Sequence, residues 1–210
     1  MWHLIVKGGW VMLPIFVCSI FSLAIILERI FFYANLRFVK KGLVVQILEY
    51  IRKDKITEAI ELCEKNSFYT TNILRAGLMH CEESKEGIRE AMESASLYEI
   101  PKLEKNSHLL STIAHTAPLF GLLGTATGFA QCFYIIEQQS LRAGSIGPAD
   151  FGGGIWEALI TTIAGLCIAI PTYIASNYFL YRVTLATLEM EQAASEVLEL
   201  LSRKRYGRET

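Results

Sequence analysis

No two of the five cysteines are spaced as CxxC, and the four histidines form neither HxxxH nor HExxH. Zinc clusters and dithiol redox centres are therefore excluded. The chain also lacks a phosphate-cradling glycine loop and any Ser, His and Asp set that suggests a nucleophile. No catalytic residue, metal ligand or cofactor is assigned, and an enzyme has no residues to stand on. A charge of one sign is missing too: 20 Lys and Arg face 21 Asp and Glu, a net charge of −1. Without a basic, aromatic-interleaved patch, nucleic acid is not an expected partner. Neither an internal repeat nor a low-complexity tract is present. Cys18, Cys132 and Cys167 lie in apolar runs, and with Cys63 and Cys81 they read as small hydrophobes of a reducing cytoplasm and a membrane interior.

What is present is apolar and unevenly spread. Hydrophobic residues make up 52% of the 210, beside 20% charged residues, and mean hydropathy is +0.33. Three runs concentrate the apolar residues. The first spans about Gly9 to Tyr33. A secretory signal is its rival reading, but the run ends in ERIFFYANLRF rather than in a small-residue cleavage site. The second, Leu109 to Ile136, has no Asp, Glu, Lys or Arg, and the third, Ile155 to Tyr181, has only Glu157. About 20 apolar residues cross a bilayer core, so each run is long enough. The expectation is an all-α integral membrane protein with three transmembrane helices, divided as residues 1–33, 34–107, 108–136, 137–154, 155–181 and 182–210.

The basic residues orient these spans. Segment 34–107 carries twelve and the tail 182–210 five, against one in 137–154 and one in the first nine residues. Under the positive-inside rule the N-terminus and the 137–154 linker lie outside, which in a bacterial inner membrane is the periplasmic side, and the large loop and the tail are cytoplasmic. The loop reads as helix, with Ile47, Leu48, Ile51, Ile56, Ala59, Ile60 and Cys63 at three- and four-residue steps and Ser84 as an N-cap. From Ser84 the pattern runs towards Ile136, with Pro101 and Pro118 as the places for a kink. Continuous, that helix is about 75 Å long at 1.5 Å per residue. The third span should continue inward as a helix to Arg203. LRAGSIGPADFGGG is Gly- and Pro-rich and reads as the one non-helical piece.

Glu157 is the most informative residue. A carboxylate near the middle of a span costs ~2.5–3.5 kcal/mol, so it usually faces a cavity or bundle interior. The competing reading is a snorkelling residue near the interface, close to Gly152, Gly153 and Gly154. Hydroxyls accompany it. Counted from the outer ends at 1.5 Å per residue, Thr125 lies roughly 16 Å deep and Thr162 roughly 14 Å deep. Antiparallel spans bring both near the midplane, with Glu157 on their outer side. A carboxylate above a band of hydroxyls is a proton or cation path. The bland reading is that each threonine bonds a carbonyl of its own helix. Thr161, four residues from Glu157, shares its face, whereas Thr162 is turned by about 140°. His115 near the inner end, and Glu28 with Arg29 at the inner end of the first span, read as interfacial groups. Ala117, Gly121, Gly124 and Gly128, with Gly165 and Ala169 opposite, have the small-xxx-small spacing that lets helices approach closely. Three helices cannot enclose a lined pore, so an oligomer is expected.

Two strings carry a family resemblance. APLFGLLGTATGF (117–129) and GIWEALITTIAGLCIAIP (154–171) resemble the second- and third-span signatures of the ExbB/TolQ/MotA proton-channel group. KITEAIELCEKN and ILRAGL are similar to its cytoplasmic loop. The length favours the ExbB/TolQ branch. The resemblance implies a bacterial inner-membrane, proton-driven motor: a homopentameric ring around a pore holding a dimer of single-span ExbD/TolR-like partners. Such a motor can act on a TonB/TolA-like protein, as in TonB-dependent transport. In this group a pore-facing aspartate belongs to the partner, and the two aspartates here, Asp54 and Asp150, lie outside the spans. The matched positions are Thr125, Glu157 and Thr162, which places Thr162 ahead of its rival Thr161. Thr127 stands where many relatives have a bulky aromatic, and His115 where small residues are usual. A non-conducting oligomeric scaffold and a stand-alone ion channel are the alternatives.

Overall fold

The computed structural model describes residues 9–35, 41–66, 68–141 and 147–209. Among them the chain is helical, with no strand. The helices are α1 (Met12–Asn35), α2 (Lys41–Arg52), α3 (Ile56–Lys65), α4 (Tyr69–Met79), α5 (Lys85–Glu104), α6 (Ser107–Leu141) and α7 (Pro148–Glu209). Three stretches are long and apolar enough to cross a membrane: Met12–Ala34, Ser107–Gln139 and Gly152–Lys204. This is an all-α, three-span membrane protein whose helices extend past the spans. The chain divides into two compact units. One comprises Met1–Ile30 with Asn106–Phe179, and the other Phe31–Lys105 with Leu180–Thr210.

The first unit holds the apolar parts of α1, α6 and α7. Pro14 is accommodated in the first turn of α1, where a backbone N–H has no intrahelical acceptor in any case. Ile15, Ser22, Ile25 and Arg29 form the buried stripe of α1, and Val11 extends it into the preceding turn. Arg29 falls in register with that stripe and is 1% exposed, so its side chain packs against protein at this end of the span. Its neighbour Glu28 lies half-exposed, 3.9 Å from the guanidinium. On the outward faces Phe16, Phe21, Leu119, Leu122, Ile163 and Ile170 are exposed. Apolar surface of this extent is stable only against lipid or other protein.

The expected continuous helix from Ser84 to Ile136 is broken, and neither proline breaks it. The chain stays helical through Pro101 and Pro118. At Lys105 the backbone turns extended (φ −45°, ψ 135°), and Asn106 is left-handed at φ 61°. Asparagine tolerates that conformation better than most residues. Its amide donates to Glu28 Oε2 at 2.7 Å, and its carbonyl accepts from Leu110 N–H at 3.1 Å, opening α6. The Gly-rich stretch differs as well. Helix α6 runs on to Leu141 and α7 begins at Pro148, a favoured first-turn residue. Gly152, Gly153 and Gly154 are therefore helical, while 142–146 lie outside the described residues.

The second unit packs α2 to α5 with the C-terminal part of α7. Ile47, Ile51, Ala59, Cys63, Ile73, Leu74, Leu78, Ile88, Met92, Leu103, Val197 and Leu201 are buried in it. Ser84 caps α5, accepting from Gly87 N–H at 3.1 Å. Helix α2 ends in a Schellman motif around left-handed Asp54: Asp54 N–H donates to Ile51 O and Lys55 N–H to Tyr50 O. Buried Glu99 accepts from Asn72 and Lys102 at 3.1 and 3.0 Å, tying α4 to α5.

Candidate functional site

The site is built on a seam where α6 and α7 touch through backbone. A Cβ on Gly165 would lie 2.7 Å from Ala117 O, and one on Gly128 would lie 2.6 Å from Gly154 O. One on Gly121 would lie 3.1 Å from both Thr161 O and Thr162 Cα. At Gly124 a Cβ would overlap the Thr161 side chain. Only glycine permits this approach, and the approach lets a short hydroxyl side chain reach the neighbouring helix.

Thr125 on α6 and Thr162 on α7 do so. Their Oγ1 atoms are 2.5 Å apart, and either hydroxyl can be the donor. Each also reaches both flanking carbonyls. Thr125 Oγ1 is 3.2 Å from Gly121 O and 3.4 Å from Ala158 O. Thr162 Oγ1 is 3.2 Å from Gly121 O and 3.1 Å from Ala158 O. Four oxygens thus share two protons, so the direction of donation reverses by rotating two hydroxyls and no helix has to move. The other threonines of the spans behave differently. Thr112, Thr116, Thr127 and Thr172 bond carbonyls three or four residues earlier in their own helix.

Glu157 and Thr161 lie one turn apart on α7, beside the hydroxyl pair. Thr161 is 0% exposed. It donates within its own helix, 3.0 Å from both Glu157 O and Ala158 O, and packs against Gly124. Glu157 is 9% exposed. Its Oε1 is buried without a hydrogen-bond partner among the described residues, and its carboxylate lies against Gly9. The structure therefore joins Thr125 with Thr162 and leaves the Thr161 hydroxyl bonded within its own helix. His115 is exposed, bonds Ser111 O at 2.7 Å through Nδ1, and meets Tyr173 edge-on at 5.8 Å.

The match to the MotA/TolQ/ExbB proton channel family runs over residues 37–192. The chain belongs to this family. It is 34% identical over 205 residues to the putative biopolymer transport protein ExbB-like 1 of Synechocystis, covering 94% of this chain and 77% of that protein. It is 31% identical over 172 residues to ExbB-like 3 of the same organism, covering 82% and 81%. The Tol-Pal system protein TolQ of Pseudomonas aeruginosa is 36% identical over 120 residues, 57% of this chain and 50% of that protein.

For this member of the family, the matched region contains the glycine seam, the hydroxyl pair and Glu157, but not α1. Sequence reasoning missed three contributors. The Ala158 carbonyl faces the hydroxyls of Thr125, Thr161 and Thr162, but a backbone group has no residue-type signal. Gly154 completes the seam at Cys132, although its GGG context suggests a loop. Gly9 lies far from Glu157 in sequence, and nothing local marks it.

Proposed function

We propose that the chain is the pore-forming stator subunit of a proton-driven inner-membrane motor of the ExbB/TolQ branch. The observation that carries this reading is the Thr125–Thr162 bond, two hydroxyls and two carbonyls that join α6 to α7 within an apolar span. A reversible donor–acceptor pair of this kind passes a proton through a wall that would otherwise exclude it. Five copies form the ring, and a dimer of single-span ExbD/TolR-like partners in its pore supplies the aspartate that these spans lack. Each proton crossing 100 mV delivers ~2.3 kcal/mol, which drives one component against the other. The work reaches a TonB/TolA-like protein of the periplasm. Family names that include biopolymer transport and the Tol-Pal system support such a client.

The orientation belongs to the same proposal, with α2 to α5 and the end of α7 in the cytoplasm. Three measurements test the whole. Native mass spectrometry of the complex in mild detergent should give five copies, and a monomer or dimer as the sole species would remove the pore. In a cysteine-free background, a cysteine at 141 should react with an impermeant maleimide on intact cells and one at 85 should not. Thr162→Val, assembled with its partner, should lose client activity. Full activity in that variant would show the hydroxyl pair to be structural.

A further inference from the structure

The family match stops short of α1, yet the turn that leads into α1 lies against the Glu157 carboxylate. Gly9 opens the turn into this helix at φ +66°, a conformation that side-chain-bearing residues avoid. A Cβ at this position would overlap Glu157 Oε1, lie 2.8 Å from its Cδ and 3.5 Å from its Oε2. The position thus demands glycine twice over, once for the backbone and once for the carboxylate beneath it. The turn is closed by two bonds, Met12 N–H to Gly9 O and Leu13 N–H to Trp10 O, both 3.2 Å. Gly9 is itself exposed, as is Trp10 at 65%. A nine-tenths-buried carboxylate with an unbonded oxygen thus lies directly against a residue that is itself exposed.

We propose that Gly9 is the cover of Glu157: it seats the carboxylate in its buried position and has to move aside before water or a proton carrier reaches the acid. A buried carboxylate oxygen without a partner is costly, so displacement of the cover, which lets water in, is opposed by little. Gly9 is on this account an access and positioning residue of the proposed proton path, on which the inference rests. It touches the acid but carries no proton itself.

The test uses the assembled complex in membrane vesicles and a membrane-permeant carbodiimide, with modification at position 157 followed by peptide mass spectrometry. Gly9→Ala and Gly9→Asn should each raise the modification rate several-fold over the parent, because the added Cβ dislodges the carboxylate. Asparagine tolerates the left-handed backbone, so its effect reads the Cβ and not the strain. In a Glu157→Asp background, where the acid is one methylene shorter, Gly9→Ala should change the rate little. Unchanged rates in both Gly9 variants, or an equal rise in both backgrounds, would overturn the cover. This readout does not depend on transport. Full client activity in Glu157→Gln would take Glu157 out of the proton path and leave the cover standing.

Discussion

Thr125 Oγ1 and Thr162 Oγ1 meet at 2.5 Å across two helices, although 37 positions separate them in the chain. Their protons are shared with the same two carbonyls, so the pair acts as one unit. Thr125→Val and Thr162→Val should each abolish client activity, and the double variant should be no worse than either single one. Assembly should survive, since one hydrogen bond contributes about 1 kcal/mol net. Thr161→Val should remain active, because that hydroxyl bonds only its own helix and its shape is kept. Client activity beside partner co-purification measures all four. Additive, partial losses in the two single variants would show that the hydroxyls act independently.

The glycines of the seam should rank by what a methyl group would meet. Gly165→Ala and Gly128→Ala press on backbone at 2.7 and 2.6 Å, which cannot swing away, so assembly and abundance should fall steeply. Gly121→Ala meets backbone at 3.1 Å and needs a shift of a few tenths of an ångström, so its loss should be smaller. Gly153→Ala meets nothing within 4 Å. Within a helix it should be neutral or stabilising, by up to ~1 kcal/mol. Size-exclusion profiles of the four variants provide the ranking.

The spans, the small-residue spacing and the Thr125–Thr162 level could be read from sequence because each depends on periodicity and rise along a single helix. Two features resisted for physical reasons. The turn at Asn106 depends on a left-handed residue whose side chain bonds Glu28, 78 positions away, whereas the prolines nearby sit inside helices. The run from Gly152 to Gly154 carries the composition of a loop, but Gly154 serves close backbone approach in a helix. The burial of Arg29 is not marked by its place at a span end; it follows from its register with Ser22 and Ile25.

Asn106 offers a direct test of the break between α5 and α6. Asn106→Ala puts a Cβ without a hydrogen-bonding group into a left-handed conformation, a strain of about 1–2 kcal/mol, and removes the bond to Glu28. Asn106→Gly removes the bond and relieves the backbone. Thermal unfolding should therefore order the proteins as parent, then glycine, then alanine. An alanine variant as stable as the glycine variant would mean that the chain can run helical through this position.

Burial pushes the Cys63 thiol from its ordinary 9.0 up to about 11; the Glu64 carboxylate adds to the rise and Arg75 opposes it. At pH 8 Cys63 should alkylate far more slowly than half-buried Cys81, and the difference should vanish in denaturant. The sign for stability follows from the raised value. The folded state holds the proton more tightly, so this contribution is complete below pH 9 and is lost as the pH rises through about 11. Denaturant titrations of Cys63→Ala should lack that component of the alkaline decline. Native alkylation of Cys63 at the rate of Cys81 would contradict its burial.

Glu157→Gln keeps the size of the side chain and removes its charge. In the single chain the carboxylate is buried, packs against Gly9 and leaves Oε1 unbonded, so no ion pair or hydrogen bond of that oxygen is lost with the charge. Taking a charge out of an apolar surrounding relieves desolvation, and in a ring it also removes repulsion between copies. On structural grounds alone, then, the glutamine variant should assemble and accumulate at least as well as the parent. If the acid exchanges protons with the hydroxyl pair or with a partner's acid, the same change should abolish client activity and proton uptake by vesicles. The two expectations point in opposite directions, which is what makes the variant informative. Normal abundance with lost activity assigns Glu157 to the path. Normal abundance with full activity makes it a packing residue of the contact with Gly9, and the hydroxyl pair would then have to act without it.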